Sequence, residues 1–357
     1  MAMMDNQPHG MDNAGGGLRG LRAKPSAELF EAVRHSYGIN CLDDIIDLGG
    51  SSSLNLLISD DDSRYVVRVY RPYITESRLA DVQLVRRELN KGGVPSSEVL
   101  QTWDGQQWII LDGRLLEIER YVQSDANLDS LERLKVGLPL LGRVHSILRG
   151  VKVSTQGRNP LFANHIESQN ALTGTLEGCN RIRSWDHPSS DELQLADAAK
   201  ELAHLVSAGE RDLLPVLPRQ LVHGDFWDNN VFFRNDRVAL VTDFDYMGER
   251  ARIDDLALTL YFASSAFSDA PLSVDWVRRL RSLIDAYDLG LDVRLSGAER
   301  AAIPLAIARQ PLWSIGGWIA VLDDEQTARR HAEDMLGQVE WALRIVSDLD
   351  RWQAAFT

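Results

Sequence analysis

The chain has 357 residues, 44% of them hydrophobic and 25% charged, and its 38 Lys and Arg against 52 Asp and Glu leave a net charge of −14. That length supports two or three globular units with a sizeable core, and the composition excludes a disordered or collagen-like chain. A surface this acidic excludes a generic nucleic-acid-coating role, which needs a basic footprint, and it favours small molecules, cationic ones above all.

Residues 1–24 are rich in Gly, Asn and Met and lack the basic start and apolar run of a secretory signal, so a flexible leader is expected there. Residues 26–37 have helical spacing with Ser26 as N-cap. Strands are expected over 45–49, 54–59 and 65–70, the last two joined by the acidic turn Asp60-Asp61-Asp62-Ser63. Residues 76–91 return to helical spacing and stop at Gly92-Gly93. A second hairpin is expected over 107–112 and 114–122, turning at Asp112-Gly113.

Beyond residue 125 long amphipathic segments dominate, at 129–149, 162–184, 190–208, 273–288, 297–320 and 325–353. The expected fold class is therefore α+β: a small antiparallel sheet with one helix over 25–122, then a larger, mainly helical part over 123–357, with a ligand cleft between them. The two cysteines, Cys41 and Cys179, are far apart and form no CxxC, which points away from a disulfide framework and towards a reducing cytoplasm. The longest apolar stretch, 313–322, is about ten residues, short of the roughly 20 that a bilayer requires, so no membrane role is expected.

The segment 220–245 interrupts the helices. It reads as a polar loop, His223-Gly224-Asp225-Phe226-Trp227-Asp228-Asn229-Asn230, followed by two apolar strands that turn at Arg234-Asn235-Asp236-Arg237 and end on Asp243. The hairpin folds Asp243 back beside the loop, so Asp225, Asn230 and Asp243 can converge. Two carboxylates and an amide oxygen form a hard-oxygen set suited to Mg²⁺, which takes substrate phosphates and waters as its other ligands. His223 is expected to brace the loop by hydrogen bonding.

The run HGD, an Asn five residues later and the DFD at 243–245 resemble the aminoglycoside phosphotransferase, choline kinase and type II homoserine kinase superfamily. That superfamily is a branch of the two-lobed protein-kinase-like fold, and the resemblance covers residues 40–345. It implies that Asp225 orients and deprotonates an acceptor hydroxyl while Asn230 and Asp243 hold Mg²⁺ on the phosphates of ATP. Asp255 resembles the Asp that supports the family's catalytic loop, and an N-cap of the following helix is the alternative.

The turn Gly49-Gly50-Ser51-Ser52-Ser53 resembles the family's nucleotide loop, whose backbone N–H groups and hydroxyls bind oxyanions; the other reading is an ordinary hairpin turn. Arg68 stands where the family usually carries Lys, and its helix partner is open among Asp81, Glu76 and Glu88. Residues 117–122 resemble the hinge between the lobes, with backbone groups of Glu119 and Tyr121 reading adenine.

For the acceptor, Trp227 and Asp228 in the catalytic loop and Trp313 and Trp318 beside Pro311 and Gly316-Gly317 are candidates. Packing in the core is the competing role for the last two. The acidic set Asp323, Asp324 and Glu325 reads either as an ammonium site or as a helix start.

The resemblance implies an ATP- and Mg²⁺-dependent O-phosphotransferase acting on a small-molecule hydroxyl, as a monomer or homodimer without nucleic-acid or membrane partners. Phosphorylation of an antibiotic of aminoglycoside, nucleoside or peptide type, giving resistance, is the first expectation. The alternatives are a metabolic kinase for homoserine, choline or methylthioribose, and a nucleotide-binding pseudokinase motivated by Arg68.

Overall fold

The computed structural model describes residues 22–40, 45–50, 53–161 and 165–357. Most of the expected leader, Cys41, and Ser51 and Ser52 of the Gly/Ser turn lie outside them. The first helix, α1 (Ala27–Tyr37), starts where Ser26 accepts from the Leu29 N–H and ends at Gly38. Strands β1 (Ile46–Asp47), β2 (Leu54–Asp60) and β3 (Ser63–Val69) follow, then α2 (Glu76–Lys91), β4 (Ile109–Leu111) and β5 (Arg114–Arg120). They form one antiparallel sheet in the order β1-β2-β3-β5-β4.

Strand alternation gives that sheet two different faces. The rows Leu54–Val69–Leu116 and Leu56–Val67–Ile118 are apolar and pack with Leu29 and Val33 of α1. The row between them, Asn55–Arg68–Glu117, is polar and faces the other way. Two short pieces of sheet carry the next part. Strand β6 (Ala126–Asn127) pairs with β8 (Val231–Arg234), which pairs with β9 (Arg237–Val241), and β7 (Arg219–Val222) pairs with β10 (Gly248–Ala251).

Around these strands lie α3 (Leu131–Leu148), the single turn α4 (Thr155–Arg158), α5 (Ser168–Ser184) and α6 (Ser190–Glu210). The chain continues with α7 (Arg252–Phe267), α8 (Val274–Leu289), α9 (Gly297–Arg309), α10 (Glu325–Arg330), α11 (Met335–Ser347) and α12 (Leu349–Phe356). The expected helix over 297–320 is broken: α9 ends at Arg309, and after Pro311 a π-turn runs over Ser314–Ile319. The expected helix over 325–353 is three helices. Asp324 caps the first of them, accepting from the Thr327 N–H at 2.7 Å, so the acidic set is a helix start. Among the described residues no helix is long and apolar enough to cross a membrane. Cys179 is a free, buried thiol.

Candidate active site

The loop after β7 is held from three sides. His223 is fully buried; its Nε2–H donates to the Thr242 carbonyl at 2.9 Å and its Nδ1 accepts the Asp225 N–H at 3.2 Å. One neutral tautomer satisfies both bonds, and burial pushes the imidazole down to about 4. His223 thus braces the loop.

Gly224 has φ +87°, and a Cβ there would lie 2.2 Å from the Tyr246 carbonyl oxygen, so only glycine fits. Its N–H donates to Asp255 Oδ1 at 2.8 Å, while Asp255 Oδ2 lies 3.0 Å from His145 Nε2 and Tyr287 Oη 2.7 Å from His145 Nδ1. Asp255 sits in the first turn of α7, whose N-cap is Ala251, so it supports the loop and does not cap the helix. Thr259 fixes the far end by donating to the Phe226 carbonyl at 2.6 Å.

On this frame Asp225 is buried, only 5% exposed. Asn230 donates its amide to the Asp225 carbonyl at 2.8 Å and to its carboxylate at 2.9 Å. Burial, then the charges of Asp243 and Asp255, push the Asp225 carboxyl up to about 7, against the Asn230 and Trp227 donors that hold it down. A carboxyl tuned near neutrality in a polar cluster suits general-base work.

Asp243 stands at the end of β9 with φ 64°, in the left-handed region where Asp is among the better-tolerated residues. Its side chain is 28% exposed, whereas that of Asp245 is 2% exposed. Arg68 Nη1 reaches both, at 3.3 Å from Asp243 Oδ1 and 3.4 Å from Asp245 Oδ1, and its Nε donates to Asn55 Oδ1 at 3.0 Å. Asn55 in turn donates to the Gly49 carbonyl at 2.9 Å, which ties the Gly/Ser turn to Arg68.

The chemistry of the donors fits a Mg²⁺ site. The Asn230 amide nitrogen is turned to Asp225, which leaves its Oδ1 as the opposite end, and Asp243 supplies an accessible carboxylate. Among the described residues no group of three or more His, Cys, Asp or Glu is arranged to hold a metal. Two protein oxygens, from Asn230 and Asp243, would leave the rest of a Mg²⁺ shell to phosphates and water.

Several expectations change. Arg68 pairs with none of the three helix acids named for it. Asp81 accepts from the Ser154 N–H, Glu76 from the Trp108 indole N–H and Glu88 from Lys91. The helix sends a cation instead: Arg86 of α2 lies 2.6 Å from Glu117 and 3.0 Å from Glu119. Burial would raise Glu119, but Arg86 and Arg68 overcome it and hold the carboxyl at about 2.

The hinge reading also shifts. The Tyr121 N–H donates to the Arg64 carbonyl at 3.0 Å, and Glu119 faces Val66 on one side and Val99 on the other. The Tyr121 N–H is thereby committed within the sheet.

Within the loop Trp227 stacks on Phe262 with centroids 4.8 Å apart, and burial raises the carboxyl of its neighbour Asp228. Trp313 and Trp318 gather on His331 instead, edge-on at 6.5 Å and stacked at 5.3 Å. Of the Gly/Ser turn, Gly49 and Gly50 have φ +85° and +115°, and Ser53 is buried.

Sequence reasoning missed Arg71 and Arg78. Buried Arg78 of α2 donates to the carbonyls of Asp245 at 2.6 Å and Met247 at 2.7 Å, and Arg71 donates to Tyr246 Oη at 2.6 Å. Neither has a local sequence signal, because these acceptors lie between 78 and 175 residues away.

Residues 46–288 match the family model described as "Phosphotransferase enzyme family", APH. The chain is 25% identical to a homoserine kinase of Zymomonas mobilis over 59% of this chain and 61% of that protein, less than two thirds of its length. It is 25% identical to a homoserine kinase of Parvibaculum lavamentivorans over 79% of this chain and 81% of that one. Among solved structures, a microcompartment-associated aminopropanol kinase superposes with TM-score 0.65 at 19% identity, covering 90% of this chain and 98% of that one. An aminoglycoside phosphotransferase from Alicyclobacillus acidocaldarius gives 0.63 at 16% identity, covering 93% and 97%. An amicoumacin kinase, solved with AMP-PNP, Ca²⁺ and Ami, gives 0.62 at 14% identity, covering 88% and 94%. These likenesses establish the kinase-like α+β fold.

Proposed function

The chain belongs to the APH phosphotransferase family, and from that premise we propose that it transfers the γ-phosphoryl group of ATP to a hydroxyl of an amine-bearing small molecule. The observation that carries this reading is Asp225: a buried carboxyl raised to about 7, held by Asn230 and beside Asp243. Asp225 accepts the proton of the acceptor hydroxyl as that oxygen attacks phosphorus. Asn230 fixes the Asp225 carboxylate and, with Asp243, would hold Mg²⁺. Bound there, the ion would neutralise charge on the phosphates. Arg68 would bind phosphate oxygens through its guanidinium, tied through Asn55 to the Gly49 carbonyl. Glu119 and the residues after it would border the base. Trp227 and Asp228, next to the base in sequence, would face the acceptor; Trp313 and Trp318 would line it only more remotely. We place the boundary between the nucleotide part and the catalytic part after residue 122, because β6 already pairs with β8.

An amino alcohol as acceptor is supported by two observations. Homoserine and aminopropanol, the acceptors in the names of the relatives above, each carry an amino group and a hydroxyl. A net charge of −14 favours a cationic molecule over an anionic one. The curated relatives weigh towards a metabolic acceptor of homoserine type, and the likeness to antibiotic kinases supports resistance as the second reading.

The test is a panel containing homoserine, aminopropanol, ethanolamine, choline, methylthioribose, aminoglycosides and amicoumacin, incubated with ATP and Mg²⁺ and read by mass for the gain of one phosphoryl group. Transfer to an amino alcohol is expected. ATP binding without transfer to any member would overturn the proposal. Growth of a host carrying the gene on antibiotic plates separates the two readings.

A further inference from the structure

Arg68 is a fixed charge in a confined place. Its side chain is 11% exposed, Nε is held by Asn55, and Nη1 lies against the carboxylates of Asp243 and Asp245. A guanidinium does not lose its proton in a protein, so this charge cannot be removed by titration. The Asp243 oxygen it touches belongs to the carboxylate assigned above to the divalent cation.

Asp245 has other cations near it: Arg71 Nη2 lies 3.8 Å from its carboxylate, and Arg78 binds its carbonyl. Asp243 is the more exposed of the two, its side chain 28% exposed against 2% for Asp245. A divalent cation arriving at Asp243 would meet a like charge only a few ångströms away, whereas polyphosphate oxygens would give the guanidinium a second, bidentate partner.

We propose that Arg68 is a positioning residue that competes with the divalent cation for Asp243, so that the chain takes up the cation strongly only together with a polyphosphate. The Asn55 link extends the effect: Arg68 is tied through Asn55 to the Gly49 carbonyl, so the phosphate turn and the metal carboxylate are bridged by one cation. This inference rests on the metal assignment made above.

The test is Mn²⁺ titration of the full chain, followed by the electron paramagnetic resonance of free Mn²⁺, for the parent, Arg68→Met, Arg68→Lys and Asp243→Asn. Without nucleotide, Arg68→Met is expected to bind Mn²⁺ about tenfold tighter than the parent, the scale on which loss of one adjacent like charge acts. With AMP-PNP present the difference is expected to vanish or reverse. Asp243→Asn is expected to abolish the site in both conditions. Thermal melts report folding, and if Arg68→Met does not fold, the retracted charge of Arg68→Lys must tighten binding in the same direction. Equal Mn²⁺ affinity of parent and folded Arg68→Met, with the Asp243→Asn site lost, would overturn the competition and leave the proposed function standing. Unchanged Mn²⁺ binding in Asp243→Asn would overturn the metal assignment and the competition together.

Discussion

Asp225→Asn is expected to fold, to melt at a higher temperature than the parent at pH 8, and to lose turnover by about 10²–10⁴-fold, the range of a positioned general base. The two effects have one cause. In the folded chain the Asp225 carboxyl is pushed from its ordinary 3.8 up to about 7, first by burial and then by Asp243. A raised carboxyl binds its proton more tightly in the native state than in the unfolded one. Its stabilising contribution is therefore complete below about 3.8 and is lost as pH rises through about 7. Above that the ionised carboxylate costs up to roughly 4 kcal/mol, the free energy that separates the two values. Asn cannot ionise, so the variant escapes that cost, and the gain should shrink as pH falls towards 4. The nucleotide is not expected to notice, because Asp225 acts on the acceptor, so the KM for ATP should change little while kcat falls. Parent-like turnover in the variant, or a lower melting temperature at pH 8, would contradict the role.

The second large effect is expected at Arg86. Glu117 is fully buried and accepts from Arg86 at 2.6 Å, Gln83 at 2.6 Å and Tyr70 at 2.7 Å, and Glu119 leans on the same guanidinium. Arg86→Met leaves two carboxylates on one strand with their shared cation gone. Breaking a buried pair from one side costs about 3–5 kcal/mol, because the remaining charge is uncompensated. Denaturant unfolding should show that loss as a lower midpoint. Adding Glu117→Gln and Glu119→Gln to Arg86→Met should restore most of it, since neutral groups need no cation. A single variant within about 1 kcal/mol of the parent, or a triple variant no better than the single one, would refute this account. The functional consequence follows from α2: it also carries Arg78, which grips the carbonyls of Asp245 and Met247. Loosening α2 from β5 therefore loosens the segment that presents Asp243.

The polar loop and its hairpin were legible because their signals are local. Glycine at 224, the two apolar runs and the turn between them set the return path of Asp243, and a single loop brings Asn230 to Asp225. The sheet was legible for the same reason: alternation over β2, β3 and β5 places Leu54, Leu56, Val67, Val69, Leu116 and Ile118 on one face. What could not be read was tertiary. Helix α7 gives no amphipathic stripe, since 12 of its 16 residues are buried, including Asp254 and Asp255. The segments 297–320 and 325–353 read as continuous helices because hydrophobic periodicity survives the breaks, whereas the π-turn and the Asp324 cap depend on local geometry. The family resemblance points to α2 for the partner of Arg68, while the helix offers Arg86 and the carboxylates come from β5 and from the DFD segment. No spacing rule reveals that exchange, because the paired residues are 31 positions apart in one case and 175 in the other.

The central claim is that Asp225 works as the base, and the pH dependence of kcat/KM for the best acceptor tests it most directly, since that profile reports the free protein's essential groups. With Asp225 as the base, kcat/KM is predicted to rise with pH through the ionisation of that buried carboxyl and to level off above it, and the rise is predicted to be missing in Asp225→Asn. A profile without that inflection, or the same inflection in parent and variant, would contradict it.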